Sequence, residues 1–223
     1  MIQEITGSIA GIINNVAGTY EGNLRHYLCN LFLRAANVTL PYHNMRHMLH
    51  VLWLCFRGGK FHIQELGPRR FRNLLIAALY HDFNHRGAPS NGNDAQNIEN
   101  AVAAMRAALL PEDQLYADDI EALIRSTEYP HKEPSGQLSL EARILRDADC
   151  SQIFSPSWIQ DFVFGLAVEK GWPVEDALKR QRQFVEGLQF ASPWGKSEFG
   201  EAAKKEKVQE IDEFIDILAG ASK

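Results

Sequence analysis

Basic excess is missing from this chain: Lys and Arg number 23 against 28 Asp and Glu, a net charge of -5. That balance excludes a broad electrostatic footprint for nucleic acid, which needs cations arrayed against the phosphate backbone. The short basic clusters Arg69-Arg70-Phe71-Arg72 and Lys204-Lys205-Glu206-Lys207 read as solvated helix faces. Cysteine is scarce too. Cys29, Cys55 and Cys150 are odd in number and widely spaced, which argues against a disulfide framework and for reduced thiols in a cytoplasmic setting. Long apolar runs are lacking: residues 48–56 are interrupted by His50 and fall well short of the ~20 residues a bilayer crossing needs. The opening residues have neither the basic stretch nor the apolar core of a signal peptide. The expectation is a cytoplasmic protein without a membrane partner.

Strand-like alternation, internal repeats and low-complexity linkers are absent as well, whereas helical periodicity runs through the whole sequence. Ile2, Ile5, Ile9, Ile12, Ile13 and Val16 recur at three- and four-residue steps, predicting a first amphipathic helix. Further helices are expected over 24–36, 43–56, 70–84 and 93–110. Another should open at Pro111-Glu112 and end near Tyr129-Pro130. The remainder are expected over 139–153, 158–169, 174–190 and 197–218. Pro41 should mark the turn into the third helix and Gly58-Gly59 should stop it. A chain of 223 residues with this pattern is expected to form a single all-α domain, 1–223.

Three segments carry chemistry. In Ala78-Leu79-Tyr80-His81-Asp82, helical spacing from Leu74, Leu75 and Ala78 turns both His81 and Asp82 towards the core. A buried carboxylate is costly unless a cation or several donors meet it, and a metal ion is one solution. The bland alternative is a hydrogen-bonded His–Asp pair. In Pro41-Tyr42-His43-Asn44-Met45-Arg46-His47, the residues His43, His47 and His50 share one side of a helix, so two imidazoles can face one pocket. In Arg146-Asp147-Ala148-Asp149, Asp149 follows Leu145 by one turn and points inward. Asp147 lies off that stripe and is expected at the surface or in support of its neighbour. Together the three segments supply an N/O ligand set suited to a divalent metal.

The order of these motifs resembles the HD-domain superfamily of metal-dependent phosphohydrolases, and most of all the catalytic core of class I cyclic-nucleotide phosphodiesterases. Tyr42-His43-Asn44-x-x-His47 is similar to that family's first signature, and His81-Asp82-x-x-His85-x-Gly87 to its second. Ile98-Glu99-Asn100, Ser126-Thr127-Glu128, Ala148-Asp149-Cys150-Ser151 and Gln181-x-x-Phe184 extend the likeness over residues 40–190. The resemblance implies a phosphodiesterase-like helical bundle. It implies two divalent ions, with His47, His81, Asp82 and Asp149 holding the tighter one, zinc or another transition metal. Asp82 would bridge to a second, magnesium or manganese. A hydroxide between the ions would attack phosphorus. His43 would protonate the leaving oxygen, oriented by Glu99, while His85 and Thr127 would support the second ion's water. Tyr42, Gln181 and Phe184 would contact the nucleotide.

The implied substrate is a 3',5'-cyclic nucleotide. The chain departs from the family at Ala101-Val102, where a His-His pair is usual, and around Pro193-Trp194. A non-cyclic nucleotide or a pyrophosphate is therefore the alternative substrate. An HD-fold di-iron oxygenase and a non-catalytic metal-stabilised module rank lower. A homo-oligomer stays open.

Overall fold

The computed structural model describes residues 8–37, 39–87 and 94–221. They form helices joined by turns, and no strand occurs among the described residues. In chain order the α-helices are α1 (Ile9–Ile13), α2 (Arg25–Arg34), α3 (Met45–Phe61), α4 (Ile63–Tyr80), α5 (Ala95–Ala108), α6 (Ala117–Arg125) and α7 (Leu140–Cys150). They continue with α8 (Trp158–Asp161), α9 (Ala167–Lys170), α10 (Val174–Gly187), α11 (Pro193–Glu198) and α12 (Glu201–Ala221). Of the expected first helix, residues 1–7 lie outside the described residues, and the remainder keeps a helix only over Ile9–Ile13.

The central pair is α3 and α4. Leu74 to Tyr80 are buried without a break, so α4 is covered on all sides rather than along one stripe. Gly58-Gly59 does not stop α3, which continues to Phe61. The reason is steric. A Cβ on Gly58 would lie 2.7 Å from Ile144 and 2.9 Å from the Trp194 ring, and one on Gly59 would lie 2.1 Å from Phe71. These glycines let α3 pass close to α4, α7 and α11. Pro68 is tolerated within α4 because Gly67, at φ 64°, already breaks the helix there.

A second, smaller apolar cluster joins α8–α10 to α12 through Trp158, Phe162, Leu178, Val185 and Ile211, and Phe154 packs against both clusters. The helix expected over 158–169 is interrupted by a π-helical turn, Phe162–Leu166. The one expected over 197–218 is two helices, divided at Phe199 and Gly200.

Two buried carboxylates fasten the elements. Asp113 is fully buried and takes Arg72 Nε and Nη2 at 2.8 and 2.7 Å, Arg69 Nη2 at 2.5 Å, and the Tyr27 hydroxyl. Asp147, expected at the surface or beside Asp149, is instead buried. It accepts Ala191 N at 2.8 Å, Ser192 N at 2.7 Å and Ser192 Oγ at 2.6 Å, tying α7 to the start of α11. No helix is long and apolar enough to cross a membrane among the described residues.

Candidate metal centre

Three helix termini meet at one place. Asn44 caps α3, its side chain accepting the N–H groups of Arg46 at 2.8 Å and His47 at 3.3 Å. His47 therefore sits in the first turn, while Tyr42 and His43 belong to the preceding loop rather than to the helix expected over 43–56. At the far end of α4, His81 is the C-cap and Asp82 begins the turn beyond it. Asn84, at φ 61°, closes that turn. Asp149 occupies the last turn of α7.

Asn37 staples two of these ends together. Its amide donates to His43 O at 2.6 Å and Asp82 O at 3.0 Å, and it accepts Asn84 N at 3.1 Å.

The geometry of the four side chains is close. His47 Nε2 lies 3.0 Å from Asp149 Oδ1 and 3.3 Å from Asp82 Oδ2. His81 Nε2 lies 3.4 Å from Asp82 Oδ2 and 3.5 Å from Asp149 Oδ1. The two Nε2 atoms are 3.3 Å apart. A tetrahedron of ligands at zinc-like bond lengths has edges of about 3.3–3.6 Å. His47, His81 and Asp149 thus present ligand atoms close enough to hold a metal ion, and Asp82 Oδ2 lies beside both imidazoles.

Proton placement strengthens the case. His81 Nδ1 faces the carbonyl oxygen of Ala78 at 2.9 Å, and His47 Nδ1 faces Gln152 Oε1; both partners only accept. In the neutral rings each Nδ1 therefore carries the hydrogen and each Nε2 is a bare lone pair. Two lone pairs and two carboxylate oxygens then converge without a proton among them. Asp82 Oδ2 is buried and accepts no hydrogen bond. A cation relieves this arrangement, and the donor set fits one. Without it, protons must come in. Burial depresses the His47 imidazole, yet its bonds to Asp149 and Asp82 and their charges push it up to about 9. The same opposition raises His81 and holds Asp82 and Asp149 well below the ordinary carboxylate range.

A second group sits alongside. His43 Nδ1 lies 2.5 Å from Glu169 Oε1, while Glu169 Oε2 accepts Tyr42 N at 3.1 Å and His43 N at 3.3 Å. Burial raises the Glu169 carboxyl, but the His43 bond and charge prevail and bring it to about 2. His85 stacks on His43 with centroids 3.8 Å apart and planes 14° apart. Stacked rings hold their lone pairs in parallel planes, so His43, His85 and Glu169, although close, do not converge on one ion as the first set does. The His43 ring stands 6.1 Å from the His47 ring, edge to face. Tyr42 lies 4.9 Å from each of those rings.

Other expected residues are placed differently. Glu99 does not orient His43. It is exposed on α5 and paired with Arg125 at 2.6 and 3.2 Å, because the buried stripe of α5 runs through Ile98, Ala101, Val102 and Met105. Glu169 holds the place beside His43. No periodicity marked it, since the π-turn before it adds a residue and shifts the register of α9. Gly165 within that turn approaches Pro41 O so closely that a Cβ would stand 3.1 Å away.

His85 is buried, its Nδ1 accepting Gly87 N at 3.0 Å and its Nε2 facing Asn97 Nδ2 at 2.9 Å. The Thr127 hydroxyl donates to Ile124 O at 2.8 Å. His50, expected on the same side as His43 and His47, packs against Trp53 instead. Gln181 and Phe184 lie on α10, buried and half-buried, and no hydrogen bond or ring contact joins them to the four ligands among the described residues. Compared with known proteins, the chain matches no family model and no curated protein.

Proposed function

We propose that this protein is a metal-dependent phosphohydrolase that cleaves a nucleotide phosphoester, with a 3',5'-cyclic nucleotide as the favoured substrate. The observation that carries the reading is the convergence of His47 Nε2, His81 Nε2 and Asp149 Oδ1, with Asp82 Oδ2 beside both imidazoles and each imidazole's other nitrogen already committed. Those four would hold a transition ion such as zinc, and Asp82 would share a second, magnesium or manganese. When bound, such cations polarise phosphoryl oxygens and make water a stronger acid.

The rest falls to the chain. His43, fixed by Glu169 through Nδ1, keeps Nε2 free to hand a proton to the departing oxygen. That oxygen leaves poorly as an alkoxide, and a positioned acid contributes about 10²–10⁴-fold. The Glu169 carboxylate, bonded to Nδ1, stops the ring from turning. Tyr42, packed on both His43 and His47, limits water on that side of the site. The motif order across residues 40–190 supports the same reading.

The test is elemental analysis of protein never exposed to chelator, together with hydrolysis of a panel of cyclic and linear nucleotides under several added metals. About one tightly held transition ion per chain is expected, as for a closed His/Asp site. Asp82→Ala should lose both the ion and turnover. A folded, metal-free protein that hydrolyses none of the panel would overturn the proposal.

A further inference from the structure

A cavity of about 380 Å³ opens on α7, bordered by α10 and by residues 187–191. Its volume falls within the range of about 300–1,000 Å³ typical of small-molecule sites. Arg146 lines it and is only 5% exposed. The Arg146 Nε donates to Ser126 O and its Nη1 to Glu133 O at 2.8 Å, so two edges of the guanidinium are anchored on backbone. Burial lowers its pKa, and the Glu133 charge offsets that only in part; among the described residues no carboxylate lies within ion-pair distance of it and its Nη2 makes no hydrogen bond. This is unusual for a buried cation, which is costly to desolvate unless a counter-charge meets it. Asp147 shares the cavity wall, but its carboxylate is already met by Ala191 N and by the N–H and hydroxyl of Ser192. Two aromatic rings also line it, Phe184 half-buried and Phe190 buried. The exposed amides of Gln183 and Gln189 stand at the mouth.

We propose that this cavity binds a small organic anion of mononucleotide size, its anionic group on Arg146 and its flat ring against Phe184 and Phe190. The guanidinium is held rigidly with N–H groups left over, which suits a phosphate or carboxylate. Aromatic walls favour a planar ring rather than an aliphatic chain. Two sources share this chemistry. One is the distal part of a substrate that also reaches Asp149, three residues along α7 from Arg146. The other is a separate effector.

Calorimetric titration of the full chain with the four ribonucleoside 5'-monophosphates, and with the uncharged nucleosides as controls, tests the site. At least one monophosphate should bind, and its nucleoside should bind at least about tenfold more weakly. Arg146→Gln should weaken binding by about tenfold or more. Because Arg146 also bonds to backbone, Gln183→Glu serves as the second variant. It places a negative charge at the mouth without disturbing buried contacts, and should weaken monophosphate binding while the melting curve stays put. Repeating the titration with Asp82→Ala separates the sources. Retained binding marks an independent effector pocket, whereas loss in that variant together with sensitivity to Gln183→Glu marks a substrate spanning both places. Absence of binding at millimolar concentration, or equal affinity in wild type, Arg146→Gln and Gln183→Glu, overturns the proposal.

Discussion

His47 and His81 each have one nitrogen committed to an acceptor, which leaves Nε2 as the only atom either ring can offer to the site. Gln152 therefore matters because its Oε1, facing His47 Nδ1, sets which His47 nitrogen bears the hydrogen. Partners of this kind change metal affinity by about 10–100-fold. Gln152→Ala should show a loss in that range by competition with a chromogenic chelator, and unchanged affinity would remove it from this role. The two glutamates assigned in turn to His43 can be separated directly. Glu169→Gln should lower kcat by about 10²-fold on a substrate with a poor leaving group and much less on a nitrophenyl ester. Glu99→Ala, which breaks only an exposed pair with Arg125, should match wild type on both. An equal loss on the two substrates would show that Glu169 does not act through proton transfer.

At the scale of elements, the clamp between the 3-10 turn Pro111–Tyr116 and α4 centres on Asp113. Replacing it with Ala leaves Arg72 buried and uncompensated, for an expected loss of about 3–5 kcal/mol in urea unfolding. Burial raises this carboxyl, but its bonds to Arg72, Tyr27 and Arg69 prevail and lower it to about 2. A depressed folded-state value contributes stability that is fully present above the unfolded value, about 3.9, and lost as pH falls through the folded one. The difference in stability between wild type and Asp113→Asn should therefore shrink between about pH 4 and 2. A difference constant across that window would contradict the assignment.

The glycines of α3 make the opposite point about propensity. In an open helix Gly→Ala gains about 0.5–1 kcal/mol. At Gly59, facing the Phe71 ring, overpacking should instead cost about 1–3 kcal/mol. A more stable Gly59→Ala protein would show that the interface yields.

Across the whole molecule, the four candidate ligands draw together the start of α3, the end of α4 and the end of α7, so an ion held there would act as a cross-brace. A ligand present at 1,000 times its Kd adds about 4 kcal/mol. For a chain of this size, chelation is expected to lower Tm by roughly 10 °C, recovered on adding metal. A melting curve indifferent to chelator would mean that no ion braces these helices.

Much of this was legible in the residues themselves. His81, Asp82 and Asp149 stand out because apolar neighbours at three- and four-residue spacing predict that they face inward, and His47 because it falls in register with His43 and His50; imidazole and carboxylate are poor core material without a cation. The all-helical class followed from the same periodicity. Other features needed the packed chain. Glu169 reaches His43 only because a π-turn shifts α9 and Gly165 lets that turn lie against Pro41. Asn37 and Gln152 act through bonds to residues 45 and 105 positions away. Asp147 is buried by α11, and Gly58-Gly59 continue a helix because neighbouring side chains fill the space beside them. Local spacing governs which face a side chain takes, whereas the partner it meets there depends on how distant segments close over it.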